Sequence, residues 1–214
     1  MLRFLTAVAI ALTTSACAFG DAELALALND DAVKPGLISE SSPATLYLAD
    51  VNDRRLDKER IGYKRNGYGM KTADILSEKP APDVVKEALG AALEANGHML
   101  GADDERYALN TTLTNFWFDM KTGLVTVEFF GSIQADLALV DRDTGETLYS
   151  EQFDGYHSEK TGGGLSGTWE RIMNAALADF ITKVNLSPAF MEALSGIGAN
   201  EAAPVEAADE QVES

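Results

Sequence analysis

Gly162, Gly164 and Gly167 spell G-x-G-x-x-G just ahead of a helical stretch, the spacing of a dinucleotide-binding turn. Such a turn needs a parallel strand feeding it and a later strand carrying an acidic partner for the ribose. Here the preceding strand belongs to an antiparallel hairpin and the chain runs out before a second strand, so a surface loop is the better reading. His98 and His157 are the two histidines, and neither stands in H-E-x-x-H or another metal-ligand spacing. His98 follows a helix stop, where a cation is mildly favourable, and His157 ends a strand. Asp30-Asp31 and Asp103-Asp104-Glu105 lack the spacing of an EF-hand and read as solvated turns. Asp141-Arg142-Asp143 is explained by a hairpin turn, and no G-x-S-x-G elbow occurs. The sequence therefore assigns no catalytic residue, no metal site and no cofactor, and the chain is expected not to be an enzyme.

Cys17 is a different case. It is the one cysteine, so it can form neither an internal disulfide nor a Cys-rich metal site. Ahead of it lie a basic start, Met1-Leu2-Arg3, an apolar run from Phe4 to Leu12 broken only by Thr6, and Thr13-Thr14-Ser15-Ala16. That is the layout of a secretory signal, with an apolar stretch too short to span a bilayer. The cysteine after Ser15-Ala16 resembles a lipobox, with Thr14 where Leu is preferred. Residues 1–16 are thus expected to be a cleaved signal peptide and Cys17 the acylated first residue. Two or more acyl chains suffice for stable anchoring. Ala18 rather than Asp follows, which favours the outer membrane over inner-membrane retention.

The charge supports an anchor of this kind. Against 34 acidic side chains stand 17 basic ones, a formal net charge of -17. Such a surface repels nucleic acid and opposes adhesion to anionic headgroups. Attachment then falls to the lipid on Cys17.

The 214 residues carry one domain's worth of apolar material. Residues 17–43 read mostly as a tether with at most one edge strand, at Leu24, Leu26 and Leu28. Residues 44–51 alternate as a strand, and 52–60 form a polar loop. A short strand is expected near Thr72–Ser77. Lys79-Pro80-Ala81-Pro82-Asp83 opens a helix with Val84, Val85, Ala88, Leu89, Ala92 and Leu93 on one face, stopped by Asn96-Gly97. Tyr107 to Leu113 alternate into Phe116-Trp117-Phe118. A long strand follows with Val125, Val127, Phe129, Gly131, Ile133, Ala135, Leu137 and Leu139 on one face; Gly131 predicts a bend or bulge. Its partner runs from Thr147 to about Tyr156. Ser166 can cap a second helix whose stripe is Trp169, Ile172, Met173, Ala176, Leu177, Phe180, Ile181 and Val184. A short helix over 188–194 follows, and 196–214 is expected to be a disordered acidic tail.

This order predicts an α+β fold, a two-layer sandwich in which a mostly antiparallel sheet of four to five strands carries two main helices on one face, over residues 44–195. Two surfaces stand out as candidate partner contacts. One is Trp117, since three aromatics in a row put one ring on the face opposite the other two. The other is the basic, aromatic stretch Tyr63, Lys64, Arg65 and Tyr68 in an otherwise acidic protein.

Over residues 44–185 the chain resembles the YajG family of bacterial lipoproteins. The features that carry this are the lipobox-like Cys17, the early strand running into Asp53-Arg54-Arg55, the helix closing as Leu93-Glu94-Ala95-Asn96-Gly97, the strand Tyr107–Leu113, the long alternating strand with its partner Thr147–Tyr156, and the second helix. The resemblance implies a cell-envelope lipoprotein facing the periplasm, with an envelope protein as partner and no assigned activity. The alternative is an accessory lipoprotein of an ABC-type envelope lipid transporter, which would bind lipid.

Overall fold

A computed structural model describes residues 20–29, 33–123, 126–161 and 166–202. The signal, Cys17, Gly162, Gly164, Leu124, Val125 and the end of the acidic tail lie outside the described residues. The clearest alternation in the sequence forms the spine. Strands β7 (Tyr107–Thr122), β8 (Val127–Asp141) and β9 (Glu146–Thr161) make a long antiparallel meander. Leu109, Leu113, Phe116 and Phe118 of β7 share its inner face with Phe129, Ile133, Ala135, Leu137 and Leu139 of β8 and with Tyr149 and Phe153 of β9, and all are buried.

The fold is α+β, as expected, but the sheet is larger and more mixed than the sequence predicted. Nine strands occur among the described residues. The chain from Thr45 to Gly62 runs along the free edge of β7 as three short parallel contacts. These are β2 (Thr45–Leu48) at Ala108–Leu109, β3 (Asn52–Asp53) at Thr112–Leu113, and the start of β4 (Gly62–Arg65) at Phe118. Outside these lie β6 (Met99–Leu100) on β2, β5 (Lys71–Ser77) on β4, and β1 (Ala22–Leu24) on β5. Apart from β5, these strands have only two to four residues and carry too few side chains to show a period of two, and parallel partners lie far apart in sequence. That is why these pairings escaped the pattern.

The helices α1 (Ala81–Ala95), α2 (Ser166–Asn185) and α3 (Pro188–Ala202) join one core with the inner sheet face. The predicted stripes of α1 and α2 are buried, with Trp169 only partly so. Gly97 ends α1 with φ of 90°, the left-handed backbone that a helix stop favours in glycine.

Several expectations need correction. Gly131 makes no bulge. Its inner side is filled by α2, so that a Cβ there would lie 2.8 Å from Met173 Sδ. The irregularities of the meander fall instead between Leu113 and Asn115 of β7 and between Leu139 and Val140 of β8. The segment read as tether includes the edge strand β1, and beyond it Leu26 and Ile38 are also buried in the core. The short final helix reaches Ala202 and buries Phe190, Leu194 and Ile197, so the core extends past the boundary placed at residue 195. The basic, aromatic stretch from Tyr63 to Tyr68 belongs to the hairpin of β4 and β5, which turns at Asn66–Gly69.

Candidate functional site

The sheet sorts the predicted contact residues onto two faces. On β4, Tyr63 and Arg65 project to the outer face, away from the helices, and Lys64 projects toward α2. Trp117 of β7 is on the outer face too, and its ring meets Tyr63 edge-on at 5.3 Å. Two residues further along β7, Asp119 accepts hydrogen bonds from Arg65 Nε at 2.8 Å and Nη2 at 3.0 Å. Burial raises the Asp119 pKa, but the Arg65 hydrogen bonds, the Met120 N–H, the Arg65 charge and the Trp117 side chain outweigh it, leaving the carboxyl below its ordinary 3.8. Lys71 Nζ stands 3.4 Å from the centre of the Tyr63 ring, within cation–π range. Tyr63, Arg65 and Trp117 therefore form one patch. Lys64 is separate, and Tyr68 is at the hairpin tip, 91% exposed.

Beside Trp117 is a hollow of about 310 Å³ shaped by the loop from Arg54 to Ile61. That loop was read as merely polar. Its organiser is Arg55, buried and paired with Asp53 through Nε at 3.0 Å and Nη2 at 2.8 Å. Burial raises the Asp53 pKa, yet hydrogen bonds from the Arg55 side chain and backbone more than offset it. Arg55 Nη2 also donates to Lys58 O at 3.2 Å. With its base fixed this way, the loop presents a fully exposed Leu56 at the rim of the hollow. Sequence reasoning missed Leu56. The signal was a lone apolar residue between charged neighbours, which carries no period.

On the other face a cleft of about 670 Å³ opens between the β4–β5 hairpin and the start of α2. Its floor is apolar, from Phe118, Met120, Val127, Phe129 and Trp169; Asp21, Glu23 and Lys64 supply charge at its rim. Phe118, Phe129 and Trp169 pack with ring centres 5.7 to 6.4 Å apart. Trp169 Nε1 is buried without a hydrogen-bond partner, an unused donor beside this floor. Lys64 Nζ donates to the carbonyl of Gly20 at 2.6 Å and stands 6.0 Å from the Trp169 ring centre. In sequence these residues were only the ends of core stripes; the gap between hairpin and helix made them a cleft.

Neither histidine joins either place. His98 is buried, with Nε2 3.3 Å from Ile38 O and from Ser41 Oγ, and burial depresses its pKa below 6.5. It is a neutral core residue rather than the cation expected near the end of α1. His157 Nε2 stands 3.2 Å from Glu159, which also pairs with Arg171. Asp141 accepts from Arg106 and from the N–H groups of Asp143 and Thr144, which explains the Asp-Arg-Asp turn structurally. Among the described residues, no three His, Cys, Asp or Glu side chains are grouped to hold a metal ion, and no helix is long and apolar enough to cross a membrane.

A solved structure shares this fold, and others align with it less well. Protein XCC0632 from Xanthomonas campestris, of the DUF330 family, superposes with a TM-score of 0.53 at 14% identity, over 85% of this chain and 98% of that one. A minor lipoprotein from Acinetobacter baumannii aligns at 14% identity over 67% of this chain and 95% of its own, with a TM-score of 0.41. Lipoprotein GNA1162 from Neisseria meningitidis aligns at 17% over 63% and 96%, with a TM-score of 0.27. At these identities the first likeness concerns the fold alone, and the other two add no argument. No protein-family model matches the chain, and no curated protein matches its sequence.

Proposed function

We propose that the chain is a bacterial envelope lipoprotein of the YajG family, acylated on Cys17, facing the periplasm from the outer membrane, and working by binding rather than catalysis. One observation carries this reading: the place where the chain joins the fold. Lys64 holds the carbonyl of Gly20 and β1 begins at Ala22, so a point fixed to the fold lies three residues after Cys17. Three extended residues span at most about 10 Å. A lipid on Cys17 would hold the domain close to the bilayer by its edge strand, not on a long leash. The Tyr63–Trp117–Arg65 patch with Leu56 beside it is the surface offered to an envelope protein, since half-buried aromatics next to an arginine are typical anchors of an interface.

Fractionation tests the anchor. Wild type should follow the outer membrane on a density gradient, and Cys17→Ser should release the domain to the soluble fraction. A variant that still sediments with membranes refutes acylation at this position. Crosslinking in the same cells reports the protein partner, and its yield should fall in Trp117→Ala.

A second reading has its own support in the apolar cleft. An accessory lipoprotein of a lipid transporter would hold an acyl chain against Phe118, Phe129 and Trp169. Mass spectrometry of the lipid carried by the purified domain separates the two: bound phospholipid lost in Trp169→Ala favours the transporter role.

A further inference from the structure

An open sheet has two edges, and an edge strand offers a row of unpaired N–H and C=O groups to any strand that passes. β9 is such an edge. It is 16 residues long, and among the described residues it pairs with β8 alone. In an antiparallel ladder, alternate residues turn both backbone groups away from their partner. On β9 these include Gln152, Asp154, Tyr156 and Ser158.

In the middle of this edge two outward groups are already taken, and their partners come from a helix. Asp179 Oδ2 of α2 accepts the Tyr156 N–H at 2.9 Å. Lys183, one turn further along α2, donates to the Asp154 carbonyl at 2.9 Å and to the Asp154 carboxylate at 2.9 Å. Its Nζ also stands 3.0 Å from Asp179 Oδ2, which gives one acceptor to each of its three N–H groups. The pair thus presents one acceptor and one donor, as a neighbouring strand would present to the same two groups. A strand added here would lie about 4.8 Å from β9, in the space these two side chains hold.

Gly155 is what lets the helix reach the edge. It stands between Asp154 and Tyr156, and Ala176 O and Phe180 of α2 occupy the place where its Cβ would be. The same helix also serves the opposite edge, where β1 ends the sheet. Just beyond β1, Ala25 and Ala27 donate their N–H groups to Glu170 Oε1 at 3.4 Å and to Asn174 Oδ1 at 3.2 Å. Glu170 and Asn174 each precede their counterparts Asp179 and Lys183 by nine residues, about two and a half turns. The two pairs therefore occupy opposite flanks of α2, and each flank satisfies the backbone of one edge.

We propose that Asp179 and Lys183 guard the β9 edge, closing it against strand addition by a second copy of the chain. β9 is able to pair with itself. With Gly155 opposite Gly155 in antiparallel register, Asp154 of each copy would meet Tyr156 of the other, and the outward groups of both strands would bond. The helix side chains fill that slot first. The guard is independent of the envelope reading and stands whether or not Cys17 is acylated.

The test follows the mass of the full chain in detergent by sedimentation at rising concentration. About 0.5 M salt screens the repulsion between chains of net charge -17. Wild type should keep one mass across the range. Asp179→Ala with Lys183→Ala should associate, with an apparent association constant about tenfold or more above wild type. Asp179→Asn with Lys183→Arg keeps an acceptor and a donor and should behave as wild type. Ser158→Pro added to the alanine pair removes an outward N–H of β9 without touching the β8 ladder, and should abolish the association. An alanine pair that is folded by circular dichroism and keeps the wild-type mass refutes the guard. Association that survives Ser158→Pro runs through another surface and refutes it too, as does a wild type that associates until Ser158→Pro is introduced. Hydrogen exchange on wild type decides the matter if the alanine pair fails to fold. The Tyr156 amide should exchange at least about tenfold more slowly than the outward amide of Gln152, and equal rates overturn the proposal.

Discussion

His98 shows how one side chain changes meaning between sequence and structure. Beside a helix stop it reads as a surface cation, yet the fold buries it against Ile38 O and Ser41, with Nδ1 unpartnered. Burial lowers its pKa from 6.5, so the folded state binds a proton less readily than the unfolded one. Stability then rises with pH wherever the unfolded histidine is more protonated. The contribution is complete above about pH 6.5 and is lost as pH falls through that value toward the folded pKa. Denaturant midpoints measured between pH 7.5 and about 5 should drop on acidification, and His98→Gln should flatten that slope. A slope unchanged by the substitution would assign it to other groups. Arg55 makes the complementary point: buried with Asp53, it spends its donors on the loop backbone, which leaves Leu56 rather than the arginine to face solvent.

Between elements, the decisive contact is α2 on β8 and β9. Gly131 and Gly155 lie on adjacent strands beneath the helix. A Cβ at Gly155 would come within 2.3 Å of Ala176 O and 2.6 Å of Phe180 Cβ, and helix backbone cannot step aside as a side-chain tip can. We expect Gly155→Ala to lower stability by about 2 kcal/mol, in the range of overpacked cores. Gly67→Ala, where nothing lies within 4 Å, is the control and should leave it nearly unchanged. Thermal unfolding of the two variants decides the matter. The glycine at 131 was visible as an anomaly in a strand, but its cause was not, because a bulge and a close-packed helix leave the same gap in a pattern of two. The helix stripes and the meander were legible from periodicity, and strands were expected where β1, β2 and β5 stand, whereas the pairings of β1 to β6 were not legible: most of them are parallel and short.

For the whole molecule, direction matters more than composition. The net charge of -17 describes the chain as a sum, while the fold gathers Asp103, Asp104, Glu105, Asp141, Asp143 and Glu146 around the β8–β9 turn and the start of β7. The cleft and the hairpin tip share one end of the sheet. The Trp117 patch runs along the outer face beside it.

The sequence by itself determined the α+β class, two helices and three long strands, because each rests on a local pattern repeated over many residues. It also singled out Tyr63, Arg65 and Trp117, which the structure joins. Tertiary structure alone decided that Lys64 turns to a different face, that Leu56 stands exposed and that a cleft opens beneath Trp169. Those are contacts between segments far apart in the chain, set by strand register and by the hand of the pairing. No window of neighbouring residues contains that information.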